Sequence, residues 1–247
     1  MDTLEFILKG EGSDLVVDFR EPITIPAGYE AKLGLKGFVC YNNIPNITWD
    51  RNNSVLLKAP GKTYEICKLP TGAYELSYIY THMREFIETL YPNLKDVNEN
   101  FVLLGDEATS KAEIIFKDNY GIDFNTDNSI HEVLGFEKDN KFEGKGRYVS
   151  KSIVNITNVT QLIFCCNIIE ASYINEIQVP FIFNCAINVP PGFRMTRELA
   201  KITYKKLNTR QICSIRVWIL DEYGRAVNLR QDTLIVTLSL KFIKNDD

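Results

Sequence analysis

A chain of 247 residues, 45% of them hydrophobic, can bury a sizeable core without help from metals or disulfides. Its net charge of −4 argues against a dedicated nucleic-acid surface, which needs clustered Lys and Arg, while leaving room for a local basic patch. The opening Met1-Asp-Thr-Leu-Glu-Phe-Ile-Leu-Lys9 lacks the charged-then-apolar plan of a signal peptide, and no apolar run approaches the roughly 18 residues of a membrane span. The expectation is a soluble chain without a membrane span, made in the cytoplasm or nucleus. The glycosylation sequons at Asn46, Asn52, Asn155 and Asn158 then read as accidental. Cys40, Cys67, Cys165, Cys166, Cys185 and Cys213 form no C-x-x-C pair and read as buried, reduced thiols; a disulfide framework or a metal site are the alternatives. Adjacent Cys165 and Cys166 should point to opposite faces of a strand.

In chain order, period-two alternation dominates. Leu15, Val17 and Phe19 alternate with Asp18 and Arg20, then Pro22 and Pro26-Ala-Gly28 punctuate the chain. Tyr29, Ala31, Leu33, Leu35 and Val39 follow on one face, against Glu30, Lys32 and Lys36. Further strands are predicted near Val55–Lys58, Tyr64–Lys68, Phe101–Leu104, Ile114–Phe116, Gln161–Ile169 and Val179–Asn188. A helix is predicted from Ser77 to Leu90, with Ile79, Met83, Phe86, Ile87 and Leu90 on one stripe, Ser77 as N-cap and Pro92 as the stop. A helical turn over Ser129–Leu134 should end at Gly135. Glu137–Ser150, rich in Lys, Glu and Gly, reads as an exposed loop. Near the end Cys213, Ile215, Val217 and Ile219 oppose Ser214, Arg216 and Trp218. After the turn Asp221-Glu-Tyr-Gly224, Leu234, Val236, Leu238, Leu240 and Phe242 oppose Thr237, Ser239 and Lys241. These last two strands are expected to pair with each other. With no linker and no repeat, residues 1–247 read as one all-β domain with one or two short helices inserted.

Catalytic signatures are missing. His82 and His131 are the only histidines, and neither has a partner at metal-ligand spacing. There is no G-x-S-x-G elbow, S-x-x-K or Walker A loop; Gly10-Glu-Gly-Ser reads as a turn, and Asp106/Glu107 and Asp221/Glu222 as solvated turn charges. The expectation is therefore no enzyme, no cofactor and no metal. Trp49, in a loop-like stretch, and Arg216 with Trp218, on the polar face of their strand, stand out as candidate interface residues; the plainer alternative is that both tryptophans are covered by a neighbouring loop or helix.

An ordered set of short motifs carries a resemblance. Leu69-Pro-Thr-Gly-Ala-Tyr-Glu-Leu76 leads directly into the amphipathic helix; Leu134-Gly-Phe136 follows the short helical turn. Leu162-Ile-Phe-Cys-Cys-Asn-Ile-Ile-Glu170 comes next, and Ile202-Thr-Tyr204, Ile212–Asp221, Gly224 and a long last strand close the chain. In this order they resemble the penton (vertex) proteins of virophages and Maverick/Polinton-type elements, from about Tyr29 to Phe242. The resemblance implies a single jelly roll of two antiparallel sheets. It implies a structural minor capsid protein, assembled as a homopentamer at the five-fold vertices of an icosahedral virion. Its implied partners are the major capsid protein of the same virus and a host receptor, with no specific nucleic acid. No domain beyond the jelly roll is obvious. The competing reading is a β-sandwich binding module for a carbohydrate or host receptor.

Overall fold

The computed structural model describes residues 3–156, 159–174 and 176–244; the sequon Asn158 lies outside them. Three long strands come first: β1 (Thr3–Glu11), β2 (Asp14–Thr24) and β3 (Tyr29–Tyr41). A mixed segment follows, with β4 (Ser54–Lys58), β5 (Tyr64–Lys68), α1 (Leu76–Leu90), α2 (Val97–Asn100), β6 (Phe101–Asp106), β7 (Lys111–Phe116), β8 (Gly121–Asp123), α3 (His131–Leu134), β9 (Lys141–Glu143) and β10 (Gly146–Ile153). The chain then returns to strands: β11 (Gln161–Cys166), β12 (Ser172–Ile174), β13 (Ile177–Val179), β14 (Phe181–Ala186), β15 (Arg194–Glu198), β16 (Lys205–Lys206), β17 (Gln211–Leu220) and β18 (Thr233–Lys244).

These elements form two compact units, Met1–Ile44 with Val159–Asp247, and Pro45–Asn158. The sequence offered one domain over 1–247 with the helices as additions to it. The middle segment instead closes a hydrophobic cluster of its own, with α1 contributing to it.

The first unit is an eight-stranded jelly roll. One sheet runs β1-β18-β3-β15, with β16 also on β3, and the other runs β14-β11-β17-β2. Numbered along the chain, the principal strands fall first, eighth, third, sixth in one sheet and second, seventh, fourth, fifth in the other, the Greek-key order of a jelly roll. Every pairing in both sheets is antiparallel. The core lies between the sheets: Leu234, Val236, Leu238 and Leu240 of β18 and Leu33, Leu35, Phe38 and Cys40 of the neighbouring β3 line one side, and Phe164, Ile215, Val217 and Ile219 of the second sheet line the other. Burying each such side chain contributes about 1.5–3 kcal/mol.

Three expectations change here. β17 and β18 do not pair; β17 lies between β11 and β2, and β18 between β1 and β3. The turn at Asp221, where the buried carboxylate accepts from the Tyr223 and Arg225 amides at 2.9 and 2.8 Å, begins a crossing to the opposite sheet rather than a hairpin. In β3, Thr237 pairs with Gly37 and Leu238 with Leu35, so Lys36 is an extra residue. This bulge shifts the alternation by one, and Phe38 and Cys40 take the core positions that the pattern gave to Val39. The register against β2 also breaks between Ile212 and Ser214, leaving Ile212 buried and Cys213 exposed. Cys165 and Cys166 do face opposite ways, one in the outer cluster with Ile163 and the other in the main core.

The second unit has two sheets, β10-β7-β6 and β5-β4-β8-β9. Its core is rich in aromatics: Phe101, Phe116, Tyr120, Phe124 and Phe136 are all buried, and Phe142 stacks on Tyr148 at 4.5 Å. Of its predicted stripe, the helix α1 buries Ile79, Met83 and Ile87 and half-buries Phe86, while Leu90 is exposed, and Glu75 rather than Ser77 is its N-cap. Gly135, at φ 75°, ends α3 as expected. The predicted loop Glu137–Ser150 instead holds β9 and the start of β10, whose charged residues alternate with half-buried Phe142 and Tyr148. Asn46 and Asn52, two of the sequon asparagines, are buried. The Asn46 amide donates to the carbonyls of Tyr74 at 2.7 Å and Ile156 at 2.8 Å, and its oxygen accepts from the Tyr74 amide at 2.8 Å.

Candidate functional site

In the jelly-roll unit, Arg216 and Trp218 stand two residues apart on β17 and share the face turned away from the main core. The Arg216 guanidinium lies 5.3 Å from the Trp218 ring centroid and donates to both carboxylate oxygens of Asp14, at 2.9 and 2.5 Å. That bidentate pair holds the Asp14 carboxyl below its ordinary range, the hydrogen bond from Arg216 being the main cause and partial burial opposing it. Trp218 is half-buried against an outer cluster of Ile163, Cys165, Val179 and Leu220, with Ile174 and Phe181 alongside. Residues of β12 and β13 thus pack against its cluster. Apolar side chains that the sequence did not single out remain open to solvent in this unit: Val16, directly opposite Arg216, and Tyr173, Ile177 and Tyr223. An alternation count cannot find them, because whether an outward residue is covered depends on loops distant in sequence.

Trp49 belongs to the other unit and is 72% exposed. Its backbone is fixed on both sides: the amide donates to Thr71 Oγ1 at 3.1 Å, and the carbonyl accepts from Asn128 Nδ2 at 3.3 Å. Asn128 also lines an open polar cavity of about 730 Å³ with Arg51, Asn52, Asp127, Ser129, His131, Glu132 and Lys138. Among the described residues, His131 Nδ1 is buried without a hydrogen-bond partner. The other histidine, His82, has its Nε2 at 3.1 Å from the Lys68 carbonyl. The structure therefore joins Arg216 to Trp218 and places Trp49 in a separate unit.

Among the described residues, no group of three or more His, Cys, Asp or Glu side chains gathers at metal-binding distance. All six cysteines are free thiols; desolvation pushes Cys40, Cys67 and Cys165 up to about 12 and Cys166 to about 11. Such thiols are protonated at neutral pH and poor nucleophiles.

The outward face of the β1-β18-β3 sheet carries a feature absent from any motif. Lys32 of β3 pairs directly with Lys241 of β18 on one side and with Lys206 of β16 on the other. Beside them the segment around Ile202–Tyr204 lies across the sheet, where a Cβ at Gly34 would meet Ile202 Cγ2 at 2.3 Å. Tyr204 and Ser239 hydroxyls are 3.1 Å apart.

No family model matches the sequence, and no curated protein does. Among solved structures, the chain is similar to the crystal structure of SeMet-labelled mavirus penton protein, with a TM-score of 0.52 and 11% identity over 98% of this chain and 99% of that one. The fold is penton-like. It is the all-β, antiparallel jelly roll that the ordered motifs implied, and the similarity to the mavirus penton extends over both units. At 11% identity the likeness concerns the path of the backbone, so the penton-like fold assigns no role to Trp49, Arg216 or Trp218. No helix among the described residues is long and apolar enough to cross a membrane.

Proposed function

We propose that this chain is a structural coat subunit that occupies the five-fold vertices of an icosahedral virion as a homopentamer and performs no catalysis. The observation that carries this reading is the jelly-roll strand order together with a penton-like backbone over almost the whole chain. Both units act as parts of one subunit, whose partners are sister copies, the major capsid protein of the same virus and a host receptor. The subunit is soluble in the host cytoplasm or nucleus before it enters the shell. Each sheet ends in uncovered strands, β1 and β15 in one and β2 and β14 in the other, and exposed Ile7 and Val16 lie on two of them. Contacts between copies around a rotation axis bury such borders and close into a ring. Light scattering on the eluted protein should report five chains, and micrographs should show five-fold rings. A strict monomer at every concentration, also with the major capsid protein present, ends this reading.

A second reading, a binding module for carbohydrate, is favoured by one observation in the Pro45–Asn158 unit. Exposed Trp49 is tied to a polar cavity whose four charged side chains, Arg51, Asp127, Glu132 and Lys138, cancel in sign. An apolar ring beside balanced donors and acceptors suits a neutral sugar. Titration with neutral hexose and N-acetylhexosamine oligosaccharides, read through Trp49 fluorescence in a Trp218→Phe background, tests it; an unchanged spectrum removes it.

A further inference from the structure

The lysine row on the jelly roll is electrostatically costly as it stands. Directly paired residues on neighbouring strands lie roughly 5 Å apart on one face, and like charges in that position destabilise a sheet. Lys241, Lys32 and Lys206 form two such pairs in succession. None of the three makes an ion pair within 4 Å among the described residues, although Lys36, on the same strand as Lys32, pairs with Glu5 at 2.7 Å. The acidic residues at that end, Glu30 and Glu170, line a small cavity with Lys206 and Arg210 but pair with no member of the row. Lys241 Nζ is 5.9 Å from the Tyr204 ring, an aromatic neighbour that offers a cation no counter-charge. All this sits on a chain whose net charge is −4.

We infer that Lys32, Lys206 and Lys241 form a binding strip for the phosphate backbone of nucleic acid. The inference rests on the coat-subunit reading, in which the protein surrounds a packed polyanion. Three ammonium groups on flexible four-carbon stems span about 10 Å of sheet, enough to meet consecutive phosphates. Strand register sets the three charges in a line at roughly 5 Å intervals. That line suits the regular single-charge repeat of a phosphate backbone, whereas carboxylates on a folded protein surface follow no fixed repeat. Lysine as a point charge tolerates any phosphate geometry. Binding is therefore independent of sequence and strongly dependent on salt.

The test uses the full chain and a fluorescent random-sequence DNA duplex, with anisotropy followed across salt concentrations. Replacing all three lysines by serine should weaken binding about tenfold or more near 0.1 M salt and reduce the slope of log K against log salt by about 2.7, at about 0.9 per phosphate. A charge-matched control, with exposed Lys62, Lys95 and Lys117 of the other unit changed to serine, should bind like the parent. Arginine at all three row positions should retain binding, which separates lost charge from lost folding. The serine row should melt no lower than the parent, because it removes like-charge contacts. Equal loss in row and control variants, no DNA binding by the parent, or binding by poly-glutamate alone each overturns the inference. Light scattering on the same samples keeps the two readings apart: a five-chain species that ignores DNA defeats the strip and spares the coat subunit, whereas a strict monomer defeats the coat subunit.

Discussion

The two units reach stability by different means. The jelly roll uses long strands, up to 13 residues in β3, whose aliphatic side chains alternate into one core between two sheets. The Pro45–Asn158 unit uses short strands, with the buried face of α1 packed on β6 and β4, around linked aromatic rings and a buried asparagine clamp. Regular alternation lets a fold be specified by many small, similar contributions. An irregular unit concentrates the same burden on a few large rings and side-chain hydrogen bonds, so single substitutions should act more locally there.

Substitutions that separate the two strategies can be ordered by their effect. Leu238→Asp should abolish folding of the jelly roll, since an unpaired carboxylate at a fully buried site costs more than about 4 kcal/mol; soluble, assembled protein would contradict the core assignment. Phe116→Ala should cost about 3–5 kcal/mol by removing a ring in contact with Phe101, Tyr120 and Tyr148. Hydrogen exchange should locate that loss in residues 45–156, and uniform loosening of both units would erase the distinction drawn here. Asn46→Ala should cost about 1–3 kcal/mol, because it leaves the Tyr74 and Ile156 carbonyls short of a donor inside the protein; calorimetry that finds no change would reduce the clamp to decoration.

Acid should act on the jelly roll through Asp14. Its pKa is depressed in the folded state, so the contribution of the Arg216 pair is present above the ordinary value of 3.8 and is lost as pH falls through the depressed folded value. Arg216→Ala should lower Tm modestly at neutral pH, where the pair is formed, and leave it unchanged once pH falls below the depressed value, so that the acid dependence of Tm flattens. The smallest effect is chemical and leaves stability untouched. Under native conditions a maleimide should label Cys213 first, with Cys40, Cys67, Cys165 and Cys166 protected until unfolding. Early labelling of Cys40 would place the bulge at Lys36 wrongly.

Legibility in the sequence follows the same divide. The last strand could be read almost residue by residue, because Leu234, Val236, Leu238 and Leu240 meet a single flat core. The helix α1 was equally clear from Ile79, Met83 and Ile87. Alternation failed at Val39 and Cys213, where a bulge or a break in register reverses the face without changing composition. It also failed for β9 and β10, whose many charges mask the apolar positions Phe142 and Tyr148. Pairing partners were out of reach: a turn after Leu220 suits a hairpin and a sheet crossing equally, and only the rest of the chain decides. For the candidate sites, exposed Trp49 and the Arg216–Trp218 contact were visible as residue types in unusual places. The lysine row was invisible, since its members are 32, 206 and 241 in the chain and meet only through strand register.

The pairing of β1 with β18 has a consequence for biosynthesis. Thr3 lies opposite Lys241 and Glu11 opposite Thr233, so the first strand made waits for the last before its backbone groups find their partners. β3 waits for the same strand. Until β18 has been made, Leu33, Leu35 and Phe38 lack the strand that lies beside them, so this sheet closes late. The inserted Pro45–Asn158 segment, whose strand partners all lie within itself, can fold while that wait continues.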